Sequence, residues 1–313
     1  MILPLLSIAL AAPSSGEEVP PTKEEVTARV VEGLDLKPTL TLTDRGKGKR
    51  RVVRFAPEPG TTTAYSTTTR QSMSLSMKGP DGQMIAVPGL DQTQPTIVTR
   101  MQNTVGQPVK DDLVPVDITF LGTEVTDTTP EMKAQLDQAM GSLTGFRMLV
   151  RASDGGLEQV DVATEDEQLY QMIQGIADSY LDKLPSFPAE PVGVGAAWTV
   201  EIDMNLAGLP FRTTQDTVVT AMEDTSVEVA YTFTMHQGEG DLRLPGMPAD
   251  AEMAFTHFRG TGTGTMRTDL TTLVATGSST FDLAMGMRVA AGGQPPVDMD
   301  MTIHQTTETA ADK

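Results

Sequence analysis

The side chains in this sequence that could do chemistry are thioethers, scattered imidazoles and closely spaced carboxylates; there is no thiol. In the stretch Pro296–Gln305, Met299, Met301 and Ile303 alternate with Asp298, Asp300 and Thr302. Met73, Leu75 and Met77 repeat the spacing, and so do Met285, Met287 and Val289. Residues two apart share one face of a strand. Each stretch therefore carries a methionine stripe on one side and polar residues on the other. Three kinds of chemistry suit such stripes. Methionine is flexible and fills irregular gaps in a core. The same flexibility suits a deformable groove for an amphiphile such as a lipid or acyl chain. Thioethers are also soft ligands for Cu(I). His304 follows Ile303 and His236 follows Met235, which turns each imidazole away from the neighbouring stripe and argues against a mixed Met/His copper site. The preferred reading is the apolar groove, lined by Met73, Leu75, Met77, Met285, Met287, Met299 and Met301.

Other reactive groups are dispersed. His236, His257 and His304 have no metalloprotease or deaminase spacing, and neither a nucleophile elbow nor a phosphate loop is present. Gly260–Gly264, "GTGTG", lacks the spacing and the following helix of a nucleotide loop. It reads as a strand whose glycines allow close backbone approach. Asp298 with Asp300, and Glu201 with Asp203, could be acid/base couples or calcium ligands. On a chain of net charge −19 they read instead as a solvated face. The expectation is a protein that is not an enzyme, with no cofactor and no bound metal. The zero cysteine count excludes disulfides, thiol catalysis and thiolate zinc sites.

Charge bounds the partners. With a pI near 4.4 the surface repels nucleic acid. Against this background Arg45–Arg54, "RGKGKRRVVR", concentrates six positive charges in ten residues. It reads as a solvated turn entering a strand, or as a handle for lipid head groups or an acidic partner. The first residues, "MILPLLSIALAAPSSGEE", have a short apolar run ending in Ala9-Leu10-Ala11, the outline of a secretory signal peptide over 1–11, although no basic residue precedes the run. The run is too short to span a bilayer, and no later segment approaches that length. An exported, periplasmic or extracellular bacterial protein is expected.

The elements that must position these residues are mostly strands. Aromatics are only 4% of the chain and methionines number nineteen, so the core must be aliphatic and methionine-rich. Residues 12–50 should hold a helix near Thr22–Leu34, with Thr22 and Glu25 as its capping box, and then a short strand around Leu40 and Leu42. Residues 51–190 read as a first β-rich half with a helical middle. "RRVVRF", "TTTAYSTTTRQSMSLSM", "QMIAV", "PTIVTRMQNTVG" and "VPVDITFLGTEV" are its strands. A helix is predicted over Thr129–Leu143, with Thr129 as cap, Pro130 at the first position, Gly141 near the end and Met132, Leu136 and Met140 on one face. Arg147–Val162 is a hairpin turning at Asp154-Gly155-Gly156. Thr164–Pro185 is the strongest helix signal. Pro185–Gly195 reads as a linker. Residues 191–308 are a second β-rich half of roughly the same plan, and 309–313 a tail.

The motifs "PVGVGAAW", "GTGTG" and the alternating methionines near the C-terminus occur in that order. Together they resemble an uncharacterised bacterial family of exported β-rich proteins, over most of Phe55–Thr307. The resemblance implies no activity. In architecture that family is similar to the half-barrel carriers of lipoproteins and glycolipids in bacterial envelopes. This chain has Ala12 where a lipid-anchored member would carry cysteine. The expected fold is mainly β (α+β): one large curved antiparallel sheet, or two pseudo-repeated sheets, packed on two or three helices at the concave face. The expected function is binding or carriage of a hydrophobic or amphiphilic ligand in the envelope. The alternatives are an envelope interaction protein with a filled methionine core and an envelope protein partner, and, more distantly, a periplasmic Cu(I)-binding protein.

Overall fold

The computed structural model describes residues 39–79, 82–87, 92–93, 95–108, 114–141, 147–153, 156–162, 186–206, 209–238, 252–290 and 296–312. They form β1 (Thr39–Arg51), β2 (Thr62–Lys78), β3 (Met84–Ala86), β4 (Gln92–Thr93), β5 (Thr96–Val105), β6 (Val114–Thr126), α1 (Pro130–Gly141), β7 (Arg147–Ser153), β8 (Gly156–Val162), β9 (Val192–Leu206), β10 (Leu209–Met222), β11 (Ser226–Gln237), β12 (Glu252–Asp269), β13 (Val274–Ala290) and β14 (Val297–Ala311). The protein is mainly β. One antiparallel sheet runs β1-β9-β10-β11-β12-β13-β14-β2-β5-β6-β7-β8, and β3 and β4 pair with β2. Two long-range pairings, β14 with β2 and β1 with β9, join the two β-rich stretches of sequence into this single sheet.

The sheet curls around its apolar face. Strands β6 and β9 stand eight places apart, which on a flat sheet is about 40 Å at about 4.8 Å per strand. Yet Val116 and Ile118 of β6 share one buried cluster with Trp198 and Val200 of β9. What lies between them is a plug. After β1 the chain runs irregularly through Val53 and Phe55, both buried. It is tied to the β12–β13 turn by Ala56 N–H donating to Leu270 O at 2.8 Å and Glu58 N–H to Thr271 O at 3.0 Å. The Phe55 ring lies 5.6 Å from Phe187, which lies 6.3 Å from Trp198. From the other side Asn103 of β5 donates its amide to Leu273 O at 3.2 Å. One end of the curled sheet is thereby closed.

Several expectations change here. "RRVVRF" is not a strand beyond Arg51; Val53 and Phe55 serve the plug. The basic stretch is no free turn either. Most of it lies within β1, where Gly46 has φ 73° and a Cβ would approach Gly193 O to 2.5 Å. Arg51 donates to the carbonyls of Glu223 and Asp224. The expected linker is packed near its start, with the Phe187 ring set between Phe55 and Trp198. Among the described residues there is one helix rather than two or three. Helix α1 starts as expected, with Met132 N–H donating to Thr129 Oγ1 at 3.3 Å. It runs beside β6, and of its stripe Leu136 is buried while Met132 is exposed. The helices predicted near Thr22–Leu34 and over Thr164–Pro185, and the leader, lie outside the described residues. The predicted hairpin is present as β7 and β8.

The "GTGTG" stretch is the middle of β12. Gly262 stands opposite Phe233 of β11 and Phe281 of β13. The two rings stack over it at 5.3 Å with 6° between their planes. A Cβ on Gly262 would run into the Phe233 ring and come within 2.7 Å of Thr280 O. Gly262→Ala is therefore expected to destabilise the fold by about 1–3 kcal/mol, the usual cost of overpacking. Urea unfolding checks this, and an unchanged midpoint would contradict the ring placement.

Candidate functional site

Period-two alternation puts the seven singled-out residues on the apolar face of three adjacent strands. Register then arranges them in rows. Met287, Met299 and Met77 are directly opposed across β13, β14 and β2, and Ile85 of β3 continues that row. The next row inward is Met285, Met301 and Leu75; the next is Leu283, Ile303 and Met73. Phe281, Leu283, Met285, Met301 and Ile303 form a second buried cluster, distinct from the plug. Met73, Leu75, Met287, Phe255 and Phe258 pack against it. Phe258 lies 5.0 Å from Phe211 and 5.1 Å from Phe255.

Burial falls along these rows. Met285 and Met301 are 4% and 7% exposed, whereas Met77, Ile85 and Val297 are 41%, 53% and 43% exposed. Met287 and Met299 are intermediate. The apolar face thus continues from a dry interior to a solvent-facing rim at the end of the sheet away from the plug.

Between the two clusters the same face turns polar. Gln71, Thr67, Ser279, Gln305, Thr307 and Thr217 are all buried there. A Gln-x-Thr pair recurs on two strands: Gln215 donates to Thr217 Oγ1 at 3.1 Å, and Gln305 to Thr307 Oγ1 at 3.2 Å. Burial pushes the Tyr231 hydroxyl above its ordinary pKa, with a hydrogen bond to Ser279 opposing the shift. The girdle separates a closed apolar end from an open one.

The opposite face of the same strands is charged and hydroxylated. Arg288 grips Asp298 with two hydrogen bonds, at 2.6 and 3.1 Å, and Lys78 reaches it at 3.4 Å. The Arg288 hydrogen bond in particular holds the Asp298 carboxyl below its ordinary pKa. Asp203 is likewise lowered, chiefly by its hydrogen bond to Arg212. One member of each carboxylate pair singled out in the sequence is thus tied to an arginine, while Asp300 faces His257 at 4.0 Å. His304 Nδ1 sits 2.7 Å from Asp282 Oδ1. This pair, with Arg259, Ser72, Ser74 and Thr302, lines a shallow groove of about 560 Å³. Sequence reasoning weighed His304 only against its methionine neighbours and missed Asp282. The two meet through the β13–β14 register, and the alternation of each strand taken singly does not reveal it. Among the described residues no cluster of three His, Asp or Glu side chains is close enough to hold a metal ion.

No protein-family model matches the chain, and no curated protein does. Among solved structures a match is found to an outer membrane channel from Pseudomonas putida F1, at 9% identity over 82% of this chain and 98% of that one, with a TM-score of 0.16. A likeness that low carries no argument about fold or function.

The Arg288–Asp298 pair gives a pH signature. A depressed carboxyl pKa contributes stability that is present above the ordinary value of 3.8 and is lost as pH falls through the lower folded value. Asp298→Asn should therefore be slightly less stable than wild type near neutrality, slightly because the pair is exposed. The difference should vanish in acid. Urea midpoints measured across that range check it, and a difference independent of pH would contradict the assignment.

Proposed function

We propose that this protein is an exported, non-enzymatic carrier that binds an apolar or amphiphilic ligand, of the lipid or acyl-chain class, at the methionine-lined end of its curled sheet. The observation that carries the reading is the continuity of one apolar face from buried Met285 and Met301 to exposed Met77, Ile85 and Val297. Soluble proteins rarely leave such a face open at a rim unless something covers it. Methionine supports the reading because its unbranched thioether adapts to varied ligand shapes. The leader-like start at residues 1–11 supports a place outside the cytoplasm. The hydroxylated outer groove beside His304 offers the competing reading, a contact surface for an envelope protein.

The test is saturable binding of an environment-sensitive apolar fluorophore to the native protein. Met77→Asp and Ile85→Asp are the informative variants, because both side chains are already exposed and the fold should survive. Each is expected to weaken binding by about tenfold or more, since a buried large apolar side chain is worth about 1.5–3 kcal/mol. Failure of any apolar probe to bind, with no lipid found by mass spectrometry after solvent extraction, would overturn the proposal.

A further inference from the structure

We infer that the rim row Met77–Met299–Met287 is a soft-metal site, an all-thioether receptor for a monovalent cation of the Cu(I) class. The alternation of each strand shows only that methionines share a face. The register adds that one residue from each of three neighbouring strands stands in a single line, and that all three are methionine. Directly opposed residues stand about 5 Å apart at Cβ. Each sulfur lies two bonds beyond Cβ on a flexible stem, so the outer two thioethers can lean onto the central one and converge on one ion.

The placement of methionine along the face distinguishes a site from gap-filling. Methionine used as filler belongs where packing is tightest and most irregular. Here the rows change from Phe281 with two glutamines, Gln305 and Gln71, to Leu283, Ile303 and Met73, then to Met285, Met301 and Leu75, and then to three methionines, one row short of the Val289–Val297 pair that ends the ladder. Thioethers thus become more frequent as the rows approach the open end. The row beneath supplies a dry floor through Met285 and Met301, and Phe255 and Phe258 stand beside Met287 and Met285 on β12. A soft donor set in an apolar setting, with the nearby carboxylates Asp298 and Asp300 on the opposite face, favours Cu(I) over hard divalent ions. The chain's net charge of −19 draws cations toward it.

Silver(I) is the probe, because it shares this ligand preference and does not change oxidation state in water. Titration of the full chain against a competing chelator is expected to show one tight Ag(I) per chain. X-ray absorption of the Cu(I)-loaded protein should show sulfur neighbours only. Met77→Leu, Met287→Leu and Met299→Leu nearly conserve volume and should leave the fold intact by circular dichroism. Each should lower Ag(I) affinity by about tenfold or more, a loss that even an outer-shell change can cause. Met132→Leu on α1 should change nothing. Fluorophore binding and Ag(I) binding are each read on the unsubstituted chain, so failure of the metal site and failure of the lipid reading are separable. Absence of tight Ag(I) binding, or binding indifferent to all three rim substitutions, would overturn the inference.

Discussion

The contact on which the molecule depends is the aromatic chain Phe55–Phe187–Trp198 at the closed end. A wide antiparallel sheet with one apolar face has to bury that face against something. Here the sheet curls, and residues from its outlying strands meet across a plug supplied by three irregular stretches. Val53 and Phe55 come from the segment after β1, Phe187 from the segment before β9, and Leu270 and Leu273 from the β12–β13 turn. Trp198, Val116 and Val192 are essentially inaccessible there. Loss of a buried aromatic typically costs about 3–5 kcal/mol, a large share of the stability of an ordinary domain. Closure at this end is what leaves the other end of the same face to be finished by methionine.

Between the two ends the sheet solves a local problem. Large rings at Phe233, Tyr231 and Phe281 need room on a concave surface, and Gly260, Gly262 and Gly264 provide it on the strand between them. The glycines weaken β12 as a strand, and the rings restore the lost contact by lying over the bare backbone. Next to them the polar residues bond both within a strand, as in the two Gln-x-Thr pairs, and across strands, as Thr67 does with Thr309 at 3.1 Å. This girdle interrupts the apolar surface, so the plug and the methionine cluster are separate bodies. A ligand entering from the rim would meet polar side chains at its deep end, an arrangement that suits an amphiphile.

The sequence made some of this legible and left the rest out of reach. Strand parity was readable, because alternation is local: the inward set Met73, Leu75, Met77 and the set Met299, Met301, Ile303 follow from period two alone. The cap of α1 at Thr129 and the β7–β8 hairpin were readable for the same reason. The pairing of β14 with β2 was not. It joins residues more than two hundred positions apart, and nothing in either strand names its neighbour. The methionine row and the Asp282–His304 contact both depend on cross-strand register. The plug was out of reach for two reasons: "RRVVRF" reads as a strand because valines favour one, whereas Phe187 sits among Pro and Gly, which signal a linker. The burial of Val53, Phe55 and Phe187 is decided by the curl of a sheet formed from strands elsewhere in the chain.

The central claim is that one apolar face is closed at the plug and open at the methionine rim. Peroxide footprinting of the native chain, read residue by residue by mass spectrometry, tests it most directly, since thioether oxidation follows exposure. Among the methionines of the apolar face the expected order is Met77 fastest, Met287 and Met299 intermediate, and Met285, Met301 and Met101 slow, in line with their burial. Oxidation of Met285 and Met301 as fast as Met77, or protection of the whole rim row to the level of Met101, would contradict the account.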